Sequence, residues 1–271
     1  MKSSEQRRLG LVSIIMPSYM TGKYIKESIK SVIDQTYEEW ELIIVDDCSK
    51  DNTDEIIQSI FDRRIKYIKQ KCNAGAAACR NRALNEAQGK WIAFLDSDDV
   101  WHPQKLEKQI CFMVDNNYSF SYTDYMEMDE RGNPTGTRVS GPSRINKSGM
   151  YNYCWPGCLT VMYSREVIGL IQIPNIIKNN DYALWLMAVE KANCYLLKEC
   201  LALYRRGREN SISSHSCFKL IYYHYLLFRV VVGQNVIKSG LSTVRNIVFG
   251  LVKKLIYVKK LPPVNEMYKG I

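Results

Sequence analysis

Residues 91–99 read Trp-Ile-Ala-Phe-Leu-Asp-Ser-Asp-Asp. Five apolar residues in a row fit a strand buried on both faces. The four positions after them carry three carboxylates, which repel one another unless donors or a cation neutralise them. Carboxylate oxygens are the ligands that Mg2+ and Mn2+ prefer, usually one or two of them completed by phosphates and waters. The alternative is a helix N-cap with solvated acids ahead of Trp101 and Pro103.

The same pattern occurs twice upstream. Val12-Ser13-Ile14-Ile15-Met16 is a short strand-like run that stops at Pro17-Ser18-Tyr19, and Leu42-Ile43-Ile44-Val45 runs into Asp46-Asp47. One carboxylate of Asp46-Asp47 could accept from a nucleobase N–H or a ribose hydroxyl, but taken alone the pair reads first as a capped turn, Asp-Asp-Cys-Ser, before a helix. Between these runs, Lys23 to Thr36 places Ile25, Ile29, Val32 and Ile33 at helical spacing. Thr53 to Phe61 reads as a second helix, with Asp51 or Asn52 as its cap, and Ile65 to Ile68 reads as a third strand. Ala74 to Ala87 is Ala-rich and helical, and Gly89 sits where its C-terminal cap belongs. Strands alternating with helices predict right-handed βαβ units, an α/β fold and a mainly parallel central sheet. Ligands of such sheets bind outside the carboxyl ends of the strands. The three polar strand ends are therefore expected on one rim. Further on, residues 105–115 read as helix, 118–128 as strand, 129–134 as turn, and about 181–191 as helix within a mixed stretch.

Composition narrows the class. The chain has 271 residues, 46% apolar and 24% charged, which suits a globular protein and excludes disorder, collagen and coiled coil. Nine cysteines without a CxxC pair read as free thiols in a reducing compartment. The polar stretch 1–10 and the short apolar run after it do not fit a signal peptide. No uncharged apolar run is long enough to span a bilayer. There is no GxGxxG and no Walker sequence, which argues against a dinucleotide oxidoreductase and a P-loop enzyme. Small residues around Gly75 (Asn73 to Ala78) would let a backbone approach a neighbour or a phosphate. His102, His215 and His224 are too dispersed for a zinc site.

The net charge of +9 is concentrated at one end. Residues 210–271 hold nine Lys/Arg against one acid, and none of the residues from Asn210 to Asn265 is acidic. Within 237–256, Ile237, Leu241, Val244, Val248, Leu251 and Leu255 recur every three or four positions, with Lys238, Arg245, Lys253 and Lys254 largely off that stripe. This is a basic amphipathic helix, suited to an anionic membrane surface. The other reading packs the stripe on the preceding domain.

Read together, these residues resemble family 2 glycosyltransferases. The resemblance runs through Val12 to Tyr19, Ser31 to Tyr37, Ile44 to Ser49, Asn73-Ala74-Gly75 with Arg80-Asn81, Gly89, and Phe94 to Asp99. It is close over about residues 10–110 and points to the inverting enzymes of bacterial surface-polysaccharide synthesis. It implies a GT-A fold, a nucleotide-diphosphate sugar donor (a UDP-sugar), a lipid-linked saccharide acceptor and Mn2+ or Mg2+. By position, Asp98 matches the metal ligand that ends the DxD motif, and Asp96 the acid near the ribose and sugar. Asp47 matches the uracil contact, and Pro17 and Tyr19 the lining of the base pocket. Asn180-Asp181-Tyr182-Ala183-Leu184-Trp185 resembles the segment whose Asp is the general base, so Asp181 takes that role; from spacing alone it could cap the following helix. Leu203-Tyr204-Arg205 and Asn210 to Ser213 resemble the segment that closes the catalytic domain. Met20 and Asn180 depart from the pattern, which usually has Asn and often Glu there.

The expected organisation is a glycosyltransferase domain over 10–216, with a nucleotide half to about 100 and an acceptor half from 101, then a basic tail over 217–271. The expected place is the cytoplasm, peripherally on the inner face of the cell membrane. Two other classes compete. A sugar nucleotidyltransferase would carry a Gly-rich basic loop after the first strand, where Pro17-Ser18-Tyr19-Met20 stands instead. A nucleic-acid binder would interleave aromatics and Arg in the tail, but Lys outnumbers Arg six to two over 217–262. No nucleic-acid partner is expected.

Overall fold

The computed structural model describes residues 9–174, 176, 178–207 and 217–261. Apolar runs build its centre. β1 (Val12–Ser18), β2 (Trp40–Asp46), β3 (Ile65–Lys69) and β4 (Trp91–Phe94) pair in parallel in the order β3-β2-β1-β4. β1 and β4 are buried at every position, as unbroken apolar strands must be when both sheet faces are covered. The crossovers are α1 (Ile25–Ile33), α2 (Thr53–Gln58) and α3 (Ala76–Glu86). α1 buries Ile25, Ile29 and Val32, following their spacing.

Two local expectations need correction. α2 ends at Gln58 rather than Phe61, whose ring is left in solvent. Gly89 is no helix cap, since α3 ends at Glu86 and Gly89 keeps negative φ. A Cβ on Gly89 would lie 2.5 Å from the Ser13 nitrogen, so glycine is required by the close approach to β1. Asn52 stands at the N-cap of α2 without a side-chain cap bond, and Asp51 before it accepts the Thr53 N–H on Oδ1 at 3.2 Å.

After β4 the sheet changes character. β5 (Val100–Trp101), α4 (Lys105–Asp115), β6 (Phe120–Met128), β7 (Pro134–Val139), β8 (Arg144–Ile145), α5 (Lys147–Asn152), β9 (Met162–Ser164), α6 (Arg165–Ile168), α7 (Asn180–Ala188) and β10 (Cys194–Arg205) follow. β9 lies antiparallel between β4 and β6, β7 is antiparallel to β6, and β10 is parallel to β6. The sheet is parallel in the central four strands and mixed beyond them.

The basic tail is docked on this second half. α8 (Cys217–Leu226) continues through a π-helical turn at Leu227–Val231, and α9 (Val236–Ile256) follows. β11 (Val258–Lys260) then pairs antiparallel with β7. Leu227 and Phe228 enter the main core beside Tyr182 and Trp185. Asn210 to Ser213, His215 and the residues after 261 lie outside the described residues. Among the described residues, no helix is long and apolar enough to cross a membrane, and the cysteines are free.

Candidate active site

The carboxyl ends of β1, β2 and β4 meet at a cleft of about 610 Å3. Its lining includes Pro17, Tyr19, Asp47, Asp96, Asp98 and Asp181, so all the residues singled out from sequence share one cavity. Asp181 reaches it from the first turn of α7, which closes the opposite wall.

The acidic turn resolves its own repulsion by sending each carboxylate a different way. Asp96 pairs with Arg80 at 2.5 Å. Asp99 points inward: its Oδ1 accepts the Arg205 N–H at 2.9 Å, and burial, with the charges of Asp98 and Asp96, pushes its carboxyl well above the usual range. Asp98 lines the cleft. The Arg205 side chain fixes this turn, donating from Nε to the Asp98 carbonyl at 2.7 Å and from Nη1 to the Glu130 carbonyl at 2.9 Å, and pairing with Glu27 at 2.5 Å.

Asp47 is almost fully buried and has two duties. Its oxygens accept the N–H groups of Ala74 at 2.7 Å and Gly75 at 2.8 Å, tying β2 to the start of α3, while the residue also lines the cleft. Gly75 adopts φ +88° and has no atom within 4 Å of a built Cβ. Its glycine therefore answers to backbone conformation and not to crowding inside the protein.

Asp181 is not a helix cap. α7 begins at Asn180, and the residue at its N-cap, Asn179 at φ +59°, makes no side-chain cap bond, while Asp181 Oδ1 accepts the Tyr182 N–H at 2.8 Å within the first turn. Burial raises the Asp181 carboxyl above its usual range, while the Arg80 guanidinium opposes that shift. A carboxylate raised in this way is a stronger proton acceptor than an ordinary surface Asp.

Arg80 was quoted only as part of a motif, yet it links the two sides of the site. It is buried on α3, pairs with Asp96, and donates to the Asn180 side chain beside Asp181. Asn81, its neighbour in the motif, is structural: its amide bonds the Ile173 backbone at 2.8 and 2.7 Å. Lys178 and Leu220 also line the cleft and gave no sequence signal. An Arg within an Ala-rich helical stretch, quoted with Asn81 in the motif, was the cue available for Arg80.

The departure at Met20 has a conformational consequence. Met20 sits at φ +52° between the cleft-lining residues Tyr19 and Thr21, and its N–H donates to the Ser49 hydroxyl at 2.8 Å. Asn adopts this left-handed region far more readily than Met. We expect Met20→Asn to stabilise the protein by about 1 kcal/mol, read as a higher melting temperature. An unchanged or lower melting temperature would show that the Met20 side chain offsets the strain.

The donor set suits a cation completed by substrate. Among the described residues, no three His, Cys, Asp or Glu side chains form a full metal set. Asp96 and Asp98 on one cleft wall provide the one or two carboxylates that Mg2+ and Mn2+ take alongside phosphate and water.

Residues 13–165 match the family described as Glycosyl transferase family 2. TuaG of Bacillus subtilis (strain 168), named for teichuronic acid biosynthesis, is 45% identical over 208 residues, covering 76% of this chain and 82% of that protein. The Escherichia coli UDP-Glc:alpha-D-GlcNAc-diphosphoundecaprenol beta-1,3-glucosyltransferase WfgD is 44% identical, covering 68% and 71%. The crystal structure of S. aureus TarS 1-349 in complex with UDP-GlcNAc superimposes with a TM-score of 0.68 at 20% identity, covering 87% of this chain and 71% of that one, and it shares the fold. With the parallel β3-β2-β1-β4 core, the acidic strand ends on one rim and these relatives, the chain belongs to glycosyltransferase family 2.

Proposed function

We propose that this protein transfers a hexosyl or N-acetylhexosaminyl group from a UDP-sugar to a hydroxyl of a lipid-linked saccharide, with inversion, in the synthesis of a bacterial surface polysaccharide. One observation carries the reading: Asp181 and the Asp96–Asp98 turn face a single cleft across Arg80. Single displacement needs such a pairing of a base with a site for the departing diphosphate. Pro17, Tyr19 and Asp47 hold the base and Asp96 the ribose-sugar side. Asp181 takes the proton from the acceptor hydroxyl as its oxygen attacks the anomeric carbon. Asp98, with Asp96 nearby, would hold Mn2+ or Mg2+, which when bound neutralises charge on the diphosphate. The name of WfgD, with its undecaprenol-diphosphate acceptor, supports a lipid-linked acceptor here. We place the enzyme on the inner face of the cell membrane, with the catalytic domain over 10–216 and the tail over 217–271 as its anchor.

The test is incubation with a panel of nucleotide sugars and Mn2+, scoring slow donor hydrolysis, then NMR of the product with a lipid-linked acceptor. A UDP-sugar is expected to be hydrolysed and the product to have an inverted anomeric centre. A retained centre would overturn the single displacement. Pyrophosphate release from a nucleoside triphosphate and a sugar phosphate would favour a nucleotidyltransferase.

A further inference from the structure

The helix α9 is built inside out. The side it turns to the protein carries Ser239, Ser242, Thr243 and Asn246, all buried. Hydrogen bonds hold that seam: Asn246 Nδ2 donates to the Tyr182 hydroxyl at 3.0 Å and the Asn152 carbonyl at 3.2 Å, and Ser242 donates to Gln234 at 2.9 Å. The opposite side carries Ile237, Leu241, Val244, Val248, Leu251 and Leu255, every one of them exposed, Leu255 to 84%. A helix docked on a globular protein in water shows the reverse arrangement.

The exposed apolar surface is also concentrated. Of the seventeen exposed large apolar side chains among the described residues, thirteen fall within 220–256. A contiguous apolar face of this kind marks an interaction surface. Its surroundings are basic. Lys238 and Arg245 border a small cleft with Leu241 and Ser242, and Lys254 is exposed on the other flank. Among the described residues, none of these cations makes an ion pair. The face continues towards the active site: Leu220 on α8 is exposed and also lines the catalytic cleft, and Ile221 and Tyr222 beside it are exposed.

We infer that the outer face of α9, together with the exposed edge of α8, seats on an anionic bilayer leaflet. The aliphatic stripe enters the acyl boundary, Lys238 and Arg245 meet lipid phosphate, and the cleft rim at Leu220 turns towards the lipid. This deepens the membrane reading above and rests on it for its biological sense, though not for its physics. The polar seam, with Phe249 edge-on to Trp155, holds the helix to the protein without using the aliphatic face. Cations flanking a stripe of aliphatic residues suit a surface of anionic headgroups over hydrocarbon. A second copy of this chain would set the two basic flanks against each other with no acid from Asn210 to Asn265 to offset them.

The test uses the full chain and vesicles of phosphatidylcholine with and without phosphatidylglycerol, read by co-sedimentation. Binding is expected with phosphatidylglycerol and to be much weaker without it. Salt should release part of the bound protein, since it screens charge but not apolar insertion. Leu241→Glu with Val248→Glu should lower binding by at least roughly tenfold, and Lys238→Gln with Arg245→Gln by about tenfold on the anionic vesicles. All four positions are exposed, so donor hydrolysis, which needs neither lipid nor acceptor, should be unchanged and reports that the variants are folded. Binding that ignores the Leu241 and Val248 substitutions, or full chain that ignores anionic vesicles, would overturn the inference. So would a stable dimer in lipid-free solution that Leu241→Glu with Val248→Glu dissociates. Because vesicle binding is measured without substrate, its failure is separate from failure of the transfer reaction.

Discussion

Asp181→Asn is expected to cut transfer by between about 10²- and 10⁴-fold while leaving donor affinity nearly unchanged. The substitution keeps the shape and removes the proton acceptor. The diphosphate side of the cleft, with Asp96, Asp98 and Arg80, is untouched. Steady-state kinetics with titration of the donor check both halves. Loss of donor affinity with little loss of turnover would assign Asp181 to donor binding.

The raised carboxyl of Asp181 adds a pH signature. The base works deprotonated, so wild-type activity should fall with decreasing pH through a limb set higher than an ordinary Asp would give. Stability runs the other way. A folded-state value above the unfolded one means the native protein binds that proton more tightly. The contribution of Asp181 to stability is therefore present below the ordinary Asp range and is lost as pH rises through the raised value. At neutral pH the Asn variant should be at least as stable as wild type, which separates loss of the base from loss of the fold.

Asp98→Asn is expected to reduce turnover by roughly 10³-fold and to weaken donor binding as well, because an anionic ligand for the cation is lost. The distinction from Asp181→Asn lies in donor affinity. EDTA should reproduce the defect in wild type and add little in the variant. The turn should keep its shape, since Arg205 grips it through the Asp98 carbonyl and the Asp99 carboxylate, neither of which changes. Full activity in EDTA together with a wild-type Asp98→Asn variant would overturn the metal assignment.

Much of the catalytic half is legible in the chain. Uncharged apolar runs ending in polar residues at Tyr19, Asp47 and Asp96 dictate buried parallel strands, and βαβ handedness puts their ends on one rim. Local spacing also marks α1 and the two faces of α9. These features depend on neighbours a few residues away, which periodicity reports directly.

Other features were decided only by tertiary structure, because they depend on groups far apart in the chain. Asp181 reaches the cleft from a helix distant in sequence, and its elevated carboxyl arises from burial against that wall. The pairing of Arg80 with both Asp96 and Asn180 needs three separate segments. The role of Gly89 depends on the β1 backbone, and that of Arg205 on the acidic turn. The clearest case is α9. Its sequence defines an apolar and a polar side, but periodicity is blind to which side faces the protein. Tyr182, Asn152 and Gln234 offer hydrogen-bonding partners to Asn246 and Ser242, while the core beneath is already filled by Leu227 and Phe228. The polar side therefore docks and the aliphatic stripe is left outside.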